Sequence, residues 1–138
     1  MARGHPRHGA RHARRRHRAG ERGSVALEVA IVMPVVLTLF FLGLQAALLY
    51  MGRTAALAAA QEGAQVAAGE SGTIAGGIAA AQGLADASTM VLESMSVTGV
   101  KTATEAHMTV SVRVASLVPG WQPQVTASVA MPVEEVTG

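Results

Sequence analysis

Between Glu28 and Arg53 the sequence reads VAIVMPVVLTLFFLGLQAALLYMG, with no charged side chain over Val29–Gly52. Coiled as an α-helix, a run of this length extends about 36 Å, at about 1.5 Å of rise per residue. That crosses a hydrocarbon layer of about 30 Å with some tilt. A soluble fold would have to bury the run instead. The chain has 138 residues, half of them apolar but only 3% aromatic. A core drawn from Ala, Val, Leu and Met in a chain this small cannot surround so long an apolar helix. A membrane span is the expectation, and everything else in the sequence is arranged around it.

The flanks give a direction. Residues 1–23 hold Arg3, Arg7, Arg11, Arg14, Arg15, Arg16, Arg18 and Arg22 against Glu21, a net of +7. Residues 24–138 hold Arg53, Lys101 and Arg113 against eight acids, a net of −5. The overall +2 hides this division. Positive charge collects on the cytoplasmic side of a span, so the N-terminus is expected inside the cell and the remainder outside a single-pass cell-membrane helix. Attraction between the tail and an anionic inner leaflet adds about 1 kcal/mol per Arg. A cleaved secretory signal is the competing reading. Its apolar region is shorter than this one, and the small pair Ala46-Ala47 lies inside the run and not after it.

The tail itself, RGHPRHGARHARRRHR, invites a nucleic-acid reading. It lacks interleaved aromatics and any nucleic-acid motif, so no nucleic-acid partner is expected. His5, His8, His12 and His17 are metal-ligand types, but Pro6 and Gly9 interrupt any fixed geometry. A disordered, topology-setting leader is the simpler expectation. With no cysteine, neither a disulfide framework nor a thiolate zinc site is available.

One residue needs a separate explanation. Glu28 sits five residues past Gly23, after Ser24, Val25, Ala26 and Leu27, where the apolar run opens. An acid at the centre of a membrane helix costs about 2.5–3.5 kcal/mol, and less near an end. A tolerated interfacial carboxylate would explain Glu28 alone. The full pattern is narrower: basic leader, glycine, four small or apolar residues, glutamate, apolar run. ERGSVALEVAIVMPVVL, with Pro34 soon after the acid, and the Ala-rich AALAAAQEGAQVAA beyond the span resemble the TadE-like pseudopilins of tight-adherence (Flp-type) pili. The resemblance covers about residues 21–68. Val29 departs from it, since an aromatic often follows the glutamate in that family.

The resemblance implies cleavage by a prepilin peptidase between Gly23 and Ser24. It implies that Glu28 neutralises the freed amine of a neighbouring subunit, each charge relieving the other's burial cost. It also implies partners: that peptidase, other pilins or pseudopilins, the assembly platform of the Tad secretion system, and the membrane. Pro34, which cannot donate to the Ala30 carbonyl, is expected to kink the helix.

Beyond Arg53, TAALAAAQEGAQVAAG propagates helix, with Gln61, Glu62 and Gln65 as a polar stripe. One helix is expected from about residue 25 to 68, ending at the loop Gly69–Thr73. A second, IAGGIAAAQGLADASTM, places Ile74, Ile78, Ala81 and Leu84 on one face. Gly76, Gly77 and Gly83 weaken it, and Gly72 and Gly76 mark a close approach to the first helix.

The last third changes to a period of two. Met95 and Val97 alternate with Ser94, Ser96 and Thr98. Met108, Val110, Val112 and Val114 alternate with Thr109, Ser111 and Arg113, and Val125, Ala127, Val129, Met131 and Val133 follow. Three half-buried strands are expected, with a Pro-Gly turn at Val118–Trp121 and Pro132 at a strand end or edge. Trp121, the only tryptophan, could mark a subunit contact, but a single Trp beside a turn is expected to close one end of the core.

The fold class is therefore α+β and membrane-anchored: a long N-terminal helix, a second helix and a small three-stranded antiparallel sheet, in the lollipop outline of pilin-like proteins. The expected organisation is a leader over 1–23, a transmembrane and stalk helix over 24–68, and an extracytoplasmic head over 69–138. No nucleophile elbow, phosphate loop or metal cluster is present. His107, the one histidine outside the tail, faces outward on a strand. No cofactor is expected and the chain does not read as an enzyme. An uncleaved single-pass anchor displaying a small adhesion or scaffold head is the alternative, and it would not need Glu28.

Overall fold

Helix α1 runs without interruption from Ala13 to Ala68. It belongs to a computed structural model that describes the backbone of residues 13–87 and 92–134, and the side chains among them from Gly23 onward. The C-terminal end of α1 falls where the sequence indicates, at the GESGT loop. The start does not. Residues 13–22, expected as disordered leader, are helical. Ala, Arg and Glu dominate that stretch and are strong helix formers. Extending a helix already nucleated by the apolar run also avoids the cost of a new first turn. His5, His8 and His12 lie outside the described residues, as does the His17 side chain.

After α1 come α2 (Ile74–Asp86), β1 (Leu92–Lys101), β2 (Glu105–Val114) and β3 (Gln124–Pro132). The strands form an antiparallel sheet in the order β1-β2-β3. Residues from Leu42 onward, including the outer part of α1, make one compact unit, and residues up to Phe41 make another.

The period-two pattern sorts the sheet as expected. Met108, Val110, Val112 and Val114 on the central strand are fully buried. Their register partners Val97, Val125, Ala127 and Val129 on the edge strands are half-buried and pack on the same core. Each fully buried valine contributes about 1.5–3 kcal/mol. The opposite face is polar: Thr109 bonds Ser128 across the strands at 2.8 Å and Ser111 bonds Thr126 at 2.9 Å. His107 stands there too, 3.0 Å from Glu105 in an exposed pair. Pro132 is the last residue of β3, where its missing N–H costs no ladder bond. A bulge at Glu93 separates the pairs Leu92–Val114 and Ser94–Arg113.

The helices cover the apolar face through small residues. Ala56, Ala59, Ala60, Ala64 and Ala67 form a fully buried stripe on α1, while Gln61, Glu62 and Gln65 face out. The stripe lets α2 approach closely. A Cβ on Gly63 would lie 2.8 Å from the Gly77 carbonyl oxygen and 3.1 Å from Met108 Cγ. One on Gly77 would lie 2.5 Å from the Gly63 oxygen and 2.9 Å from Met108 Cε. Backbone therefore meets backbone, and Met108 fills the remaining space.

The buried line of α2 is Gly77, Ala81 and Ala85, flanked by half-buried Ile74 and Ile78. Leu84, placed on that face by the sequence pattern, is 41% exposed. Spacing of four through small residues, and not the larger side chains, selects the contact line. Thr73 caps α2, accepting from the Gly76 N–H at 3.0 Å. Lys101 Nζ donates to the Gly72 carbonyl at 2.8 Å, tying the end of β1 to the helix–helix loop.

Candidate functional site: an apolar helix face with an acidic start

From Val25 to Leu44 the large apolar side chains of α1 are exposed on every side of the helix, with Ile31, Leu39 and Phe40 each more than 60% exposed. A helix that is apolar all round and uncovered is built for lipid or for partner helices. Those 20 residues amount to about 30 Å of helix, the thickness of a hydrocarbon layer. The helix is a candidate membrane span by length and composition.

The charge-free run extends further than the uncovered part. Gln45 is 5% exposed, Leu48 and Leu49 are half-buried against the core, and Gly52 abuts Val114. The run expected to cross as one piece is therefore divided: over its last eight residues one side, Gln45, Leu48, Leu49 and Gly52, packs in the compact unit, while Tyr50 and Met51 stay more than half exposed. Gln45 marks the change. Its Oε1 accepts from the Leu117 N–H at 2.8 Å, and its Nε2 donates to the Ala115 carbonyl at 3.3 Å. Both ends of a buried amide are thus satisfied by the backbone of the β2–β3 connection. Sequence reasoning missed this residue. The available signal was a lone carboxamide in an apolar run, which needs partners wherever it is buried.

At the other end, Gly23, Ser24 and Glu28 lie on consecutive turns of α1 and are exposed. Ser24 and Glu28 stand at i and i+4, on one helix face. Nothing approaches the position a Cβ would take on Gly23. Among the described residues no group hydrogen-bonds or ion-pairs with Glu28. Pro34 sits within the unbroken helix, and the Thr38 hydroxyl donates to its carbonyl at 2.7 Å. Such i−4 side-chain bonding is common in apolar helices.

The β2–β3 connection is itself tightly built. The Trp121 N–H donates to the Val118 carbonyl at 3.2 Å, and Gly120 has φ +78°. Pro119 fixes a negative φ at the preceding position, so the turn is type II and the glycine is required. The Val114 N–H closes the connection on the Pro123 carbonyl at 3.0 Å. Trp121, expected to close the core, instead stands 45% exposed, beside Val118 at 47% and Leu117 at 42%. Among the described residues no cluster of metal-ligating side chains occurs.

Comparison with known proteins bears on this same helix. The family model for TadE-like proteins matches residues 23–65. The match begins at Gly23 and ends three residues before the end of α1. No curated protein and no solved structure matches the chain. The stretch that carries the exposed apolar face, Glu28 and most of the alanine stripe is thus a TadE-like segment, consistent with a TadE-like pilus-associated protein.

Proposed function

We propose that the chain is a minor pseudopilin of a tight-adherence (Flp-type) pilus or a related secretion apparatus. It is inserted in the cell membrane with its N-terminus in the cytoplasm and cut between Gly23 and Ser24 by a prepilin peptidase. The observation that carries this reading is Glu28: an exposed carboxylate without a partner among the described residues, one turn into a bare apolar helix. In hydrocarbon that charge needs a cation. Cleavage would create one, the Ser24 amine, and a neighbouring subunit would deliver it. Before cleavage the amine is a peptide nitrogen and the +7 leader holds the chain in place, so processing acts as the switch for assembly.

The family match beginning at Gly23 supports a boundary there, with the basic leader outside the matched segment. The scissile bond lies within α1, so the peptidase has to unwind a turn of helix. Gly20 and Gly23 lower that cost, each by about 1 kcal/mol relative to alanine. The TadE-like family is a structural pilus component.

The test is intact mass and N-terminal sequencing of the protein from native membranes, with and without the peptidase. A mature chain beginning Ser-Val-Ala-Leu-Glu supports the reading. A chain that keeps its leader in the presence of the peptidase overturns it. The uncleaved anchor has one observation in its favour, the helix continuing unbroken through Gly23. It predicts that Glu28→Ala leaves function intact.

A further inference from the structure

We propose that the β2–β3 connection is a second membrane contact, with Leu117, Val118 and Trp121 seated among the lipid headgroups and upper acyl chains of the leaflet from which α1 emerges. The proposal rests on the reading that Val25–Leu44 crosses the bilayer. Three observations carry it beyond that reading.

The first is position. Gln45 binds the backbone of Ala115 and Leu117, and it is the first buried residue of the run, directly after exposed Leu44. If Leu44 marks the hydrocarbon edge, Gln45 lies about 1.5 Å beyond it. The interfacial layer on each side is about 5–7 Å thick, so the loop backbone is held within it.

The second is chemistry. Ala115–Pro123 reads ASLVPGWQP and contains no charged residue. It presents two aliphatic side chains and the chain's only tryptophan, each between 42% and 47% exposed. Tryptophan favours the membrane interface, where an apolar ring and a polar N–H are both accommodated. On α1, Tyr50, at 73% exposure, lies about 7.5 Å of helix past Gln45, at about the outer limit of that layer.

The third is rigidity. The Pro119-Gly120 turn, the Gln45 clamp and the Val114–Pro123 bond hold these side chains outward at little entropic cost. A loop with no role at a surface has no reason to fix three large apolar groups in water. The head would then rest on the membrane, and extraction into a fibre would require the loop to leave the lipid.

Trp121 supplies the probe. The full chain is reconstituted in phosphatidylcholine–phosphatidylglycerol vesicles, and Trp121 fluorescence is quenched with aqueous iodide or with phospholipids brominated near the headgroup or near the chain end. A V36C variant, unique in a chain without cysteine, carries an environment-sensitive label as a control on the span. The expected result is weak iodide quenching and strongest quenching by bromine near the headgroup. The double variant L117S/V118S should raise iodide quenching several-fold.

Trp121 open to iodide and blind to brominated lipid, with the Val36 label in hydrocarbon, overturns this proposal and leaves the span intact. Trp121 shielded from both quenchers means protein covers the loop, for instance a second copy, and also overturns it. A Val36 label in water overturns the span and the proposal together.

Discussion

Removing the Gln45 side chain tests whether the amide, and not general packing, holds the β2–β3 connection to α1. Gln45→Ala deletes one well-formed hydrogen bond, at 2.8 Å to the Leu117 N–H, and one long bond, at 3.3 Å to the Ala115 carbonyl. At about 0.5–1.5 kcal/mol net for each bond, with the long one at the low end, the pair contributes about 1.5 kcal/mol. Any penalty for leaving the Leu117 N–H without an acceptor would add to this figure.

Losing one buried methylene, Cγ, costs about 0.8 kcal/mol more. The total of about 2.3 kcal/mol corresponds to roughly 50-fold faster hydrogen exchange of the Leu117 amide through local opening. The assay is amide exchange on the full chain in micelles, with the Val110 amide in the central strand as an unchanged reference. Gln45→Leu restores the volume without the bonds, and should recover only part of the protection. Unchanged exchange at Leu117 in the alanine variant, or full recovery in the leucine variant, refutes the reasoning.

Gln45→Glu adds a pH dependence of known sign. Burial raises the folded pKa of the new carboxyl above its unfolded value of about 4.3. Loop protection relative to wild type is then greatest below that value and is lost as pH rises through the folded pKa.

Three further outcomes are expected. Met108→Ala, in the fully buried space beneath Gly63 and Gly77, should destabilise the head by about 2–5 kcal/mol, read as a lower thermal midpoint by circular dichroism in micelles. Gly77→Val should also lower the midpoint, because overpacking costs about 1–3 kcal/mol where a Cβ already meets the Gly63 carbonyl. That exceeds the gain of up to about 1 kcal/mol from replacing a helical glycine, and a raised midpoint would show that the helices separate freely. Glu28→Gln should leave the midpoint and cleavage at Gly23 unchanged while abolishing incorporation into pili; co-purification with pili at the wild-type level would sink the pairing role of the carboxylate.

The strands were legible because a period of two admits one assignment: shifting Val110 by one residue would bury Thr109 or Ser111 in its place. The polar stripe Gln61–Gln65 and the stop at Gly69 were readable for the same reason, since local chemistry decides them. Helix α2 was readable in extent but not in facing. Bulk placed Leu84 inward, whereas Gly77, Ala81 and Ala85 make the contact because their small size allows backbone approach.

Trp121 was assigned to the core because it stands beside a turn, a position that does not distinguish burial in protein from exposure at another apolar surface. The helix over residues 13–22 was missed because the Arg-rich stretch was read as a disordered tail without weighing the helix propensity of Ala and Arg. Within the candidate site, Glu28 stood out in the sequence as a lone acid, the roles of Gly23 and Ser24 came from the resemblance and remain proposals, and Gln45 was not seen.

By itself the sequence determined that this chain has an uncharged helix too apolar for its own core, an acid at the start of that helix, and a sheet with one apolar face. Those properties follow from residue type and period, which act over a few neighbouring positions. Only the tertiary structure decided that Gln45 is buried inside the compact unit, because it is held there by hydrogen bonds to residues 70 and 72 positions away. No local pattern records a partner so distant; folding brings the buried amide and the loop backbone together because each would otherwise leave polar groups unsatisfied.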